Sequence, residues 1–259
     1  MNSLAGASLY ESNRLLAEYL LFHYGGMYEI LTYAGYPPNA LEYPVRVVTK
    51  CLDAEALPSN ARALDLGCAV GRSSFELARH CAEVVGIDFS HRFIEAAQVL
   101  HQRGEHDYMR VDEGNLRTPL IARVPSEIDT TRVHFEQGDA MDLRPDLGRF
   151  DVVLMANLID RLASPRRCLL RLPDLVRHGG QLIITSPYTW LEEWTAPEEW
   201  LGGYERDGEK VTTLQGLQSA LASTFTLQRT ADLPFLIREH ARKYQWSMAQ
   251  ASIWKRHDL

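Results

Sequence analysis

An α/β fold with a largely parallel sheet is what this chain predicts, on three observations. From about residue 61 short β-rich apolar runs alternate with longer amphipathic ones, which is the pattern of βαβ units. Apolar residues make up 46% of 259, enough to bury a full core in one domain. The first strand-like run opens into a glycine-spaced turn, ALDLGCAVGRSS (63–74), as strand-to-helix connections in such sheets do.

The elements follow in order. ESNRLLAEYLLFHYG (11–25) is amphipathic at helical spacing, and after an aromatic-rich loop a second helix-like run covers 41–54, so residues 1–57 read as a helical lid. Strands are predicted at 61–67, 83–89, 131–137, 150–158 and 181–188. Helices are predicted at 71–82, at 90–103 with Ser90 as N-cap, and at 164–180. That last helix has Ser164 to cap it, Pro165 at its first position and Gly179–Gly180 to stop it, while Pro173 should kink or split it. DYMRVDEGNLRTPLIARVP (107–125), with DEGN as its turn, reads as a hairpin inserted near 104–128. After a Trp-rich loop, a helix at 212–223 and two closing strands, 225–237 and 245–256, complete a sheet of about seven strands with helices on both faces. The whole of 1–259 reads as a single domain with its core in 58–259.

Composition excludes several functions. Lys plus Arg is 27 and Asp plus Glu is 34, a net charge of −7 that repels phosphate backbones and anionic membranes, so no nucleic-acid or membrane partner is expected. Cys51, Cys68, Cys81 and Cys168 have neither CxxC spacing nor nearby His pairs, so they are expected to be reduced thiols, with no metal site. Neither a secretory start nor an 18-residue apolar run occurs, and a cytoplasmic location is expected.

The turn after the first strand carries the chemistry. Small residues there let a backbone approach a ligand, while amides and a helix N-terminus offer polar anchors. A dinucleotide site would need glycine at position 72, where Arg72 stands, so a nicotinamide oxidoreductase is disfavoured. The arrangement is instead Asp65-x-Gly67-x-Ala69-x-Gly71, and it resembles the first motif of the Rossmann-like class I methyltransferases that use S-adenosylmethionine. Ala69 replaces the middle glycine, which still permits close approach but argues against a positive φ there.

The resemblance implies a cofactor site made of Asp65, Gly67, Cys68, Ala69 and Gly71 in the turn, with more residues at later strand ends. Asp88 ends the second strand, where a carboxylate accepts from both ribose hydroxyls; its plainer reading is a helix cap. Phe89 offers a face to adenine, or packs in the core, and Asp139 with Ala140 occupies the place where the family reads the adenine edge. Arg14 on the lid helix is a candidate for the cofactor carboxylate.

A narrower resemblance spans nearly the full chain. YESNRLLAEYLLFHYG, ANLIDRL (156–162), TSPYTWLEEWT (185–195) and FLIREHARKYQW (235–246) look like the methyltransferases of ovothiol biosynthesis, which methylate a ring nitrogen of thiohistidine. It implies a stand-alone enzyme, with a separate sulfoxide synthase and lyase acting earlier in the pathway. A zwitterionic amino acid needs a cation, an ammonium acceptor and a flat apolar slot. Arg238 is preferred for the cation, with Arg242 and Lys243 near it, and Asn157 for orienting the acceptor or touching the methionine end. Asp160 could hold the ammonium, or simply pair with Arg161. Tyr188 and Tyr10 are candidates for hydrogen bonds to the ring or its sulfur, His240 for proton relay, and Trp190, Trp194 and Trp200 for walls. Each also has a structural reading as a packed or solvated residue. Another small-molecule N- or O-methyltransferase, and a silent cofactor-binding module, remain open.

Overall fold

The computed structural model describes residues 11–33 and 38–258. Helix α1 (Asn13–Tyr24) starts at Ser12, whose hydroxyl accepts from the Leu15 N–H at 3.2 Å and satisfies an amide that a helix start leaves open. α2 (Met27–Ile30) and α3 (Tyr43–Cys51) follow, and Pro44 suits the first turn of α3, where no N–H is needed. The chain then forms β1 (Arg62–Leu66), α4 (Arg72–Leu77), β2 (Glu83–Asp88), α5 (His91–Arg103), the hairpin β3 (Glu105–Glu113) and β4 (Leu116–Arg123), and β5 (Val133–Gln137). Next come β6 (Phe150–Ala156), α6 (Pro165–Leu175), β7 (Val176–Ser186), a small hairpin β8 (Tyr204–Arg206) and β9 (Glu209–Val211), α7 (Thr213–Leu221), β10 (Phe225–His240) and β11 (Lys243–Arg256).

Seven strands form one sheet in the order β10-β11-β7-β6-β1-β2-β5. Five adjacent strands, β7, β6, β1, β2 and β5, run parallel through four pairings, and β11 is antiparallel to both β7 and β10. Period-2 alternation divides the core between the two faces. Ala63, Val84, Val152 and Ile183 pack with α1, α3, α4 and α5, whereas Leu64, Val85, Val153 and Leu182 pack with α6 and α7. Each fully buried aliphatic side chain contributes about 1.5–3 kcal/mol, so an odd-residue slip in any of these strands would exchange its two apolar faces. The chain leaves β1 toward β2 on one side and β6 lies on the other, which puts the topological switch point, and so the crevice, at the carboxyl ends of β1 and β6.

Four elements differ from the expectations. α4 ends at Leu77, before a turn that drops into β2, with the Ala82 N–H held by the Ala61 carbonyl at 2.8 Å. α6 ends at Leu175 with Pro173 in its last turn, so Gly179–Gly180 falls within β7, where the pairing with β6 shifts register, and does not stop the helix. The closing strands extend to His240 and back from Lys243, so the REHARKY segment forms the hairpin's tip. β8 and β9 lie in the stretch read as a Trp-rich loop. Pro234 within β10 is tolerated because β10 is the edge strand.

Candidate functional site

The three acids of the sequence reading end up on neighbouring strands. Asp65 ends β1 but for one residue, Asp88 ends β2, and Asp139 follows β5; all three line one cavity of about 390 Å³. Gly67, Cys68, Ala69, Phe89, Ala140 and Asn157 line it too. Gly71 does not: it caps α4 at φ +84°, and a Cβ there would lie 2.5 Å from Phe135 Cζ, so the glycine serves a backbone conformation and close packing.

The expectation for Ala69 is overturned, since its φ is +48°. A non-glycine residue in this region costs of the order of 1 kcal/mol. What holds it is Asp88, whose Oδ2 accepts from the Ala69 N–H at 2.8 Å while its Oδ1 accepts from the Ser90 N–H at 2.9 Å. Asp88 thus ties the β1 turn to the start of α5. Asp139 Oδ1 accepts from the Met141 N–H at 2.8 Å, an Asx turn that sets Ala140 against the cavity.

Burial shapes the charges. Asp65 is 1% exposed; its Oδ2 accepts from Ser74 Oγ at 2.6 Å, and Oδ1 has no partner among the described residues. Burial, opposed by the Ser74 bond and reinforced by the Asp88 charge, pushes its carboxyl up to about 7. Burial likewise lifts Asp88 to about 6 against its backbone hydrogen bonds.

The opposite wall comes from distant parts of the chain. Tyr19, Phe22 and His23 on α1, Tyr43 on α3 and Ile237 on β10 face the same cavity. Burial, helped by the Arg72 charge, pushes His23 down to about 3, so its imidazole is neutral at ordinary pH, and Nδ1 has no partner among the described residues. Tyr43, 2% exposed, donates its hydroxyl to Asn157 Oδ1 at 2.8 Å and lies 2.7 Å from Thr185 Oγ1. Asn157 sits at φ +53°, held by its N–H to the Thr185 carbonyl at 2.8 Å. Arg161, Glu193 and Trp194 complete the rim, and Arg161 Nη1 is anchored on the Asp160 and Thr189 carbonyls at 2.9 Å.

Several candidates lie away from the cavity. Arg238, 3% exposed, pairs with Asp112 at 2.8 Å and donates to the carbonyls of Glu29 and Ile30; it braces α2 against the inserted hairpin and is not presented to a ligand. His240, at the hairpin tip, accepts from the Arg242 N–H at 3.3 Å. Tyr188 donates to Gln250 Oε1 at 3.0 Å, and burial raises its hydroxyl to about 12. Arg14 is on the outer face of α1, paired with Glu18 at 3.0 Å. Lys243 pairs with Glu239, and Arg242 lies over the Tyr33 ring. Asp160 is fully buried, pairs with Arg161 at 3.4 Å and takes the Thr189 N–H, while Trp190 and Trp200 stack on each other. Tyr10 lies outside the described residues. The sequence reading missed Tyr19, Phe22, His23, Tyr43 and Thr185; only the i, i+3, i+4 spacing of the first three signals a shared face.

The four cysteines are free and buried. Among the described residues no three His, Cys, Asp or Glu side chains cluster as metal ligands, and no helix is long and apolar enough to cross a membrane.

Residues 64–184 match the methyltransferase domain family, within the sheet and crevice just described. The strand order and the crevice at the ends of β1 and β6 are those of the Rossmann-like class I methyltransferase fold. The match to a methyltransferase domain supports an enzyme that uses S-adenosylmethionine as its cofactor. Among curated relatives, the chain is 24% identical over 149 residues to the ubiquinone biosynthesis O-methyltransferase of Coxiella burnetii, covering 58% of the chain and 52% of the relative. It is 30% identical over 125 residues to that of Azorhizobium caulinodans, covering 48% and 40%. The chain spans about half the length of the curated relatives it matches. Among solved structures, the [4+2]-cyclase SpnF has a TM-score of 0.61 at 16% identity, covering 100% and 98% of the two chains. The N-methyltransferase NodS of Bradyrhizobium japonicum, in complex with S-adenosyl-L-homocysteine, has a TM-score of 0.54 at 14% identity, covering 93% and 98%. These two are likenesses of fold, and the cyclase among them is a reminder that fold alone does not set the reaction.

Proposed function

We propose that this domain transfers the methyl group of S-adenosylmethionine to an imidazole ring nitrogen of thiohistidine. The observation that carries the reading is the pairing, in one cavity, of three strand-end carboxylates with an aromatic slot rimmed by both charges. The slot walls are Tyr19, Phe22 and Tyr43, and the rim holds Arg161 and Glu193. A flat ring bearing a carboxylate and an ammonium matches that set. Arg161 takes over the carboxylate-gripping part first assigned to Arg238, because it lines the cavity, with Asp160 behind it at 3.4 Å, whereas Arg238 lies off the cavity on Asp112.

The cofactor fits the residues present. The unpartnered Asp65 Oδ1 and the Gly67–Ala69 turn would hold its methionine end, Asp88 the ribose hydroxyls, Phe89 the adenine face, and Asp139 with Ala140 the adenine edge. Phe89 is 54% exposed, a ring left open on the crevice side. Bound there, S-adenosylmethionine supplies an electrophilic methyl on a sulfonium. The chain's own task is alignment and exclusion of water: proximity lowers such a barrier by about 7–11 kcal/mol, whereas a general base contributes about 10²–10⁴-fold. Burial that pushes His23 down to about 3 leaves it a weak base, which agrees with catalysis by positioning. The names of the curated relatives favour a second reading, O-methylation of a small molecule, and the aromatic walls suit an aromatic one equally.

Mass spectrometry of the protein incubated with S-adenosylmethionine and thiohistidine, with histidine and a catechol as parallel acceptors, tests the proposal. A methyl added to thiohistidine at a rate at least tenfold above the others supports it. Methylation of the catechol alone establishes the second reading.

A further inference from the structure

The hydrogen-bond chain Tyr43–Asn157–Thr185 determines what kind of group the crevice accepts beside its reacting centre. An asparagine amide can face a cavity with its carbonyl or with its NH2, and electron density alone rarely separates the two. Here hydrogen counting separates them. Thr185 is fully buried, and its Oγ1 has three neighbours: Tyr43 Oη at 2.7 Å, the Asn157 N–H at 3.3 Å and Asn157 Oδ1 at 3.3 Å. With Oδ1 turned to Tyr43, both hydroxyl hydrogens have an acceptor: Thr185 donates to Tyr43, and Tyr43 donates to Asn157 Oδ1. With the amide reversed, Nδ2 donates to Tyr43 and Tyr43 donates to Thr185, leaving a buried threonine hydroxyl with no acceptor. The reversed form is therefore disfavoured, and the NH2 is the end left for the cavity that Asn157 lines. The left-handed backbone at φ +53° and the N–H to Thr185 carbonyl bond deny Asn157 an alternative backbone.

We propose that Asn157 presents a hydrogen-bond donor to the acceptor molecule, with Tyr43 and Thr185 as the positioning residues that set its polarity. It follows that the substrate carries an anionic or lone-pair group there, a thiolate or carboxylate, and not an ammonium or N–H. This deepens the thiohistidine reading and rests on it for the identity of the molecule, though not for the sign of the group. Tyr43 is suited to the task because Phe22 and Phe235 pack on its ring at 6.0 and 4.9 Å, so the hydroxyl is delivered by a side chain that cannot swing away.

The test is calorimetric titration of wild type and variants with thiohistidine in the presence of S-adenosylhomocysteine, and with S-adenosylhomocysteine alone. Asn157→Asp keeps the shape and replaces the donor by a carboxylate; it should weaken thiohistidine about tenfold or more while S-adenosylhomocysteine stays within about twofold. Tyr43→Phe and Thr185→Val should each weaken thiohistidine about three- to tenfold, and Thr185→Ser, which restores the hydroxyl, should bind like wild type. Unaltered thiohistidine binding by Asn157→Asp overturns the inference. Equal weakening of both ligands also overturns it, because the donor then serves the cofactor's carboxylate. Should Asn157→Asp fail to fold, the contrast between Thr185→Val and Thr185→Ser decides alone. Should product mass reveal a different acceptor, the substrate reading falls and the same titrations with that acceptor decide the polarity.

Discussion

The two halves of the crevice are built by different means. On the cofactor side, Asp65, Asp88 and Asp139 stand at the ends of three strands adjacent in the sheet, and each carboxylate is held by groups from its own loop or the next one. On the acceptor side, Tyr43 reaches 114 positions along the chain to Asn157, and behind that wall, off the cavity, Arg238 reaches 126 positions back to Asp112. One half is a property of local turns, the other of tertiary packing, and each should respond differently when disturbed.

The largest effect is expected on the acceptor side. Asp112→Ala leaves the buried Arg238, with Arg110 close by, without its anion. Loss of a partner from a fully buried pair costs about 3–5 kcal/mol, and the partial exposure of Asp112 brings the expected loss to about 2–3 kcal/mol. Thermal unfolding should show a midpoint lower by several degrees, and a shift under one degree would mean the hairpin is no brace.

Next is a pH effect on the cofactor side. Asp65 titrates near 7 when folded and near the ordinary carboxylate value when unfolded, so between those values the native state holds the extra proton. Stability must then fall as pH rises from about 4 to about 7 and level off above, by roughly 2 kcal/mol after allowing for relaxation. Denaturant unfolding of wild type at pH 5 and 7.5 should show this fall and Asp65→Asn should lose most of it; Asp88, near 6, supplies the remainder.

Asp88→Ala should raise the cofactor dissociation constant at least tenfold, about 1.4 kcal/mol, by calorimetry, with acceptor-side groups untouched. Smallest is Arg14→Ala. Its exposed pair with Glu18 contributes about 0.2–0.5 kcal/mol to α1, and cofactor affinity should not change. A clear loss of affinity would return Arg14 to the cofactor carboxylate.

The same contrast explains what the sequence could disclose. Asp65, the glycine turn and Asp88 were legible because a strand, a turn and a helix start between Arg62 and Asp88 determine their own geometry. Ala69 was misread because steric preference alone forbids its φ, and the compensating Asp88 carboxylate arrives from the next strand. Arg238 looked like a free cation because nothing near it in the chain announces Asp112, which sits on an inserted hairpin. Gly179–Gly180 looked like a helix stop, but Val176 already pairs with Phe150 and the strand takes over first. Tyr43 carries no local signal at all, since its role exists only once α3 lies over the tips of β6 and β7.

The inserted hairpin has one more consequence. Arg110 from β3 donates to the Glu29 carbonyl, Asp112 accepts from Arg238, and the Asp112 carbonyl takes the Ala241 N–H, so three distant segments are bolted at one point. Anyone building a chimaera that borrows an N-terminal segment from another enzyme to change its acceptor would have to transplant β3 and β4 with it, because the borrowed helix would otherwise arrive without its fastening.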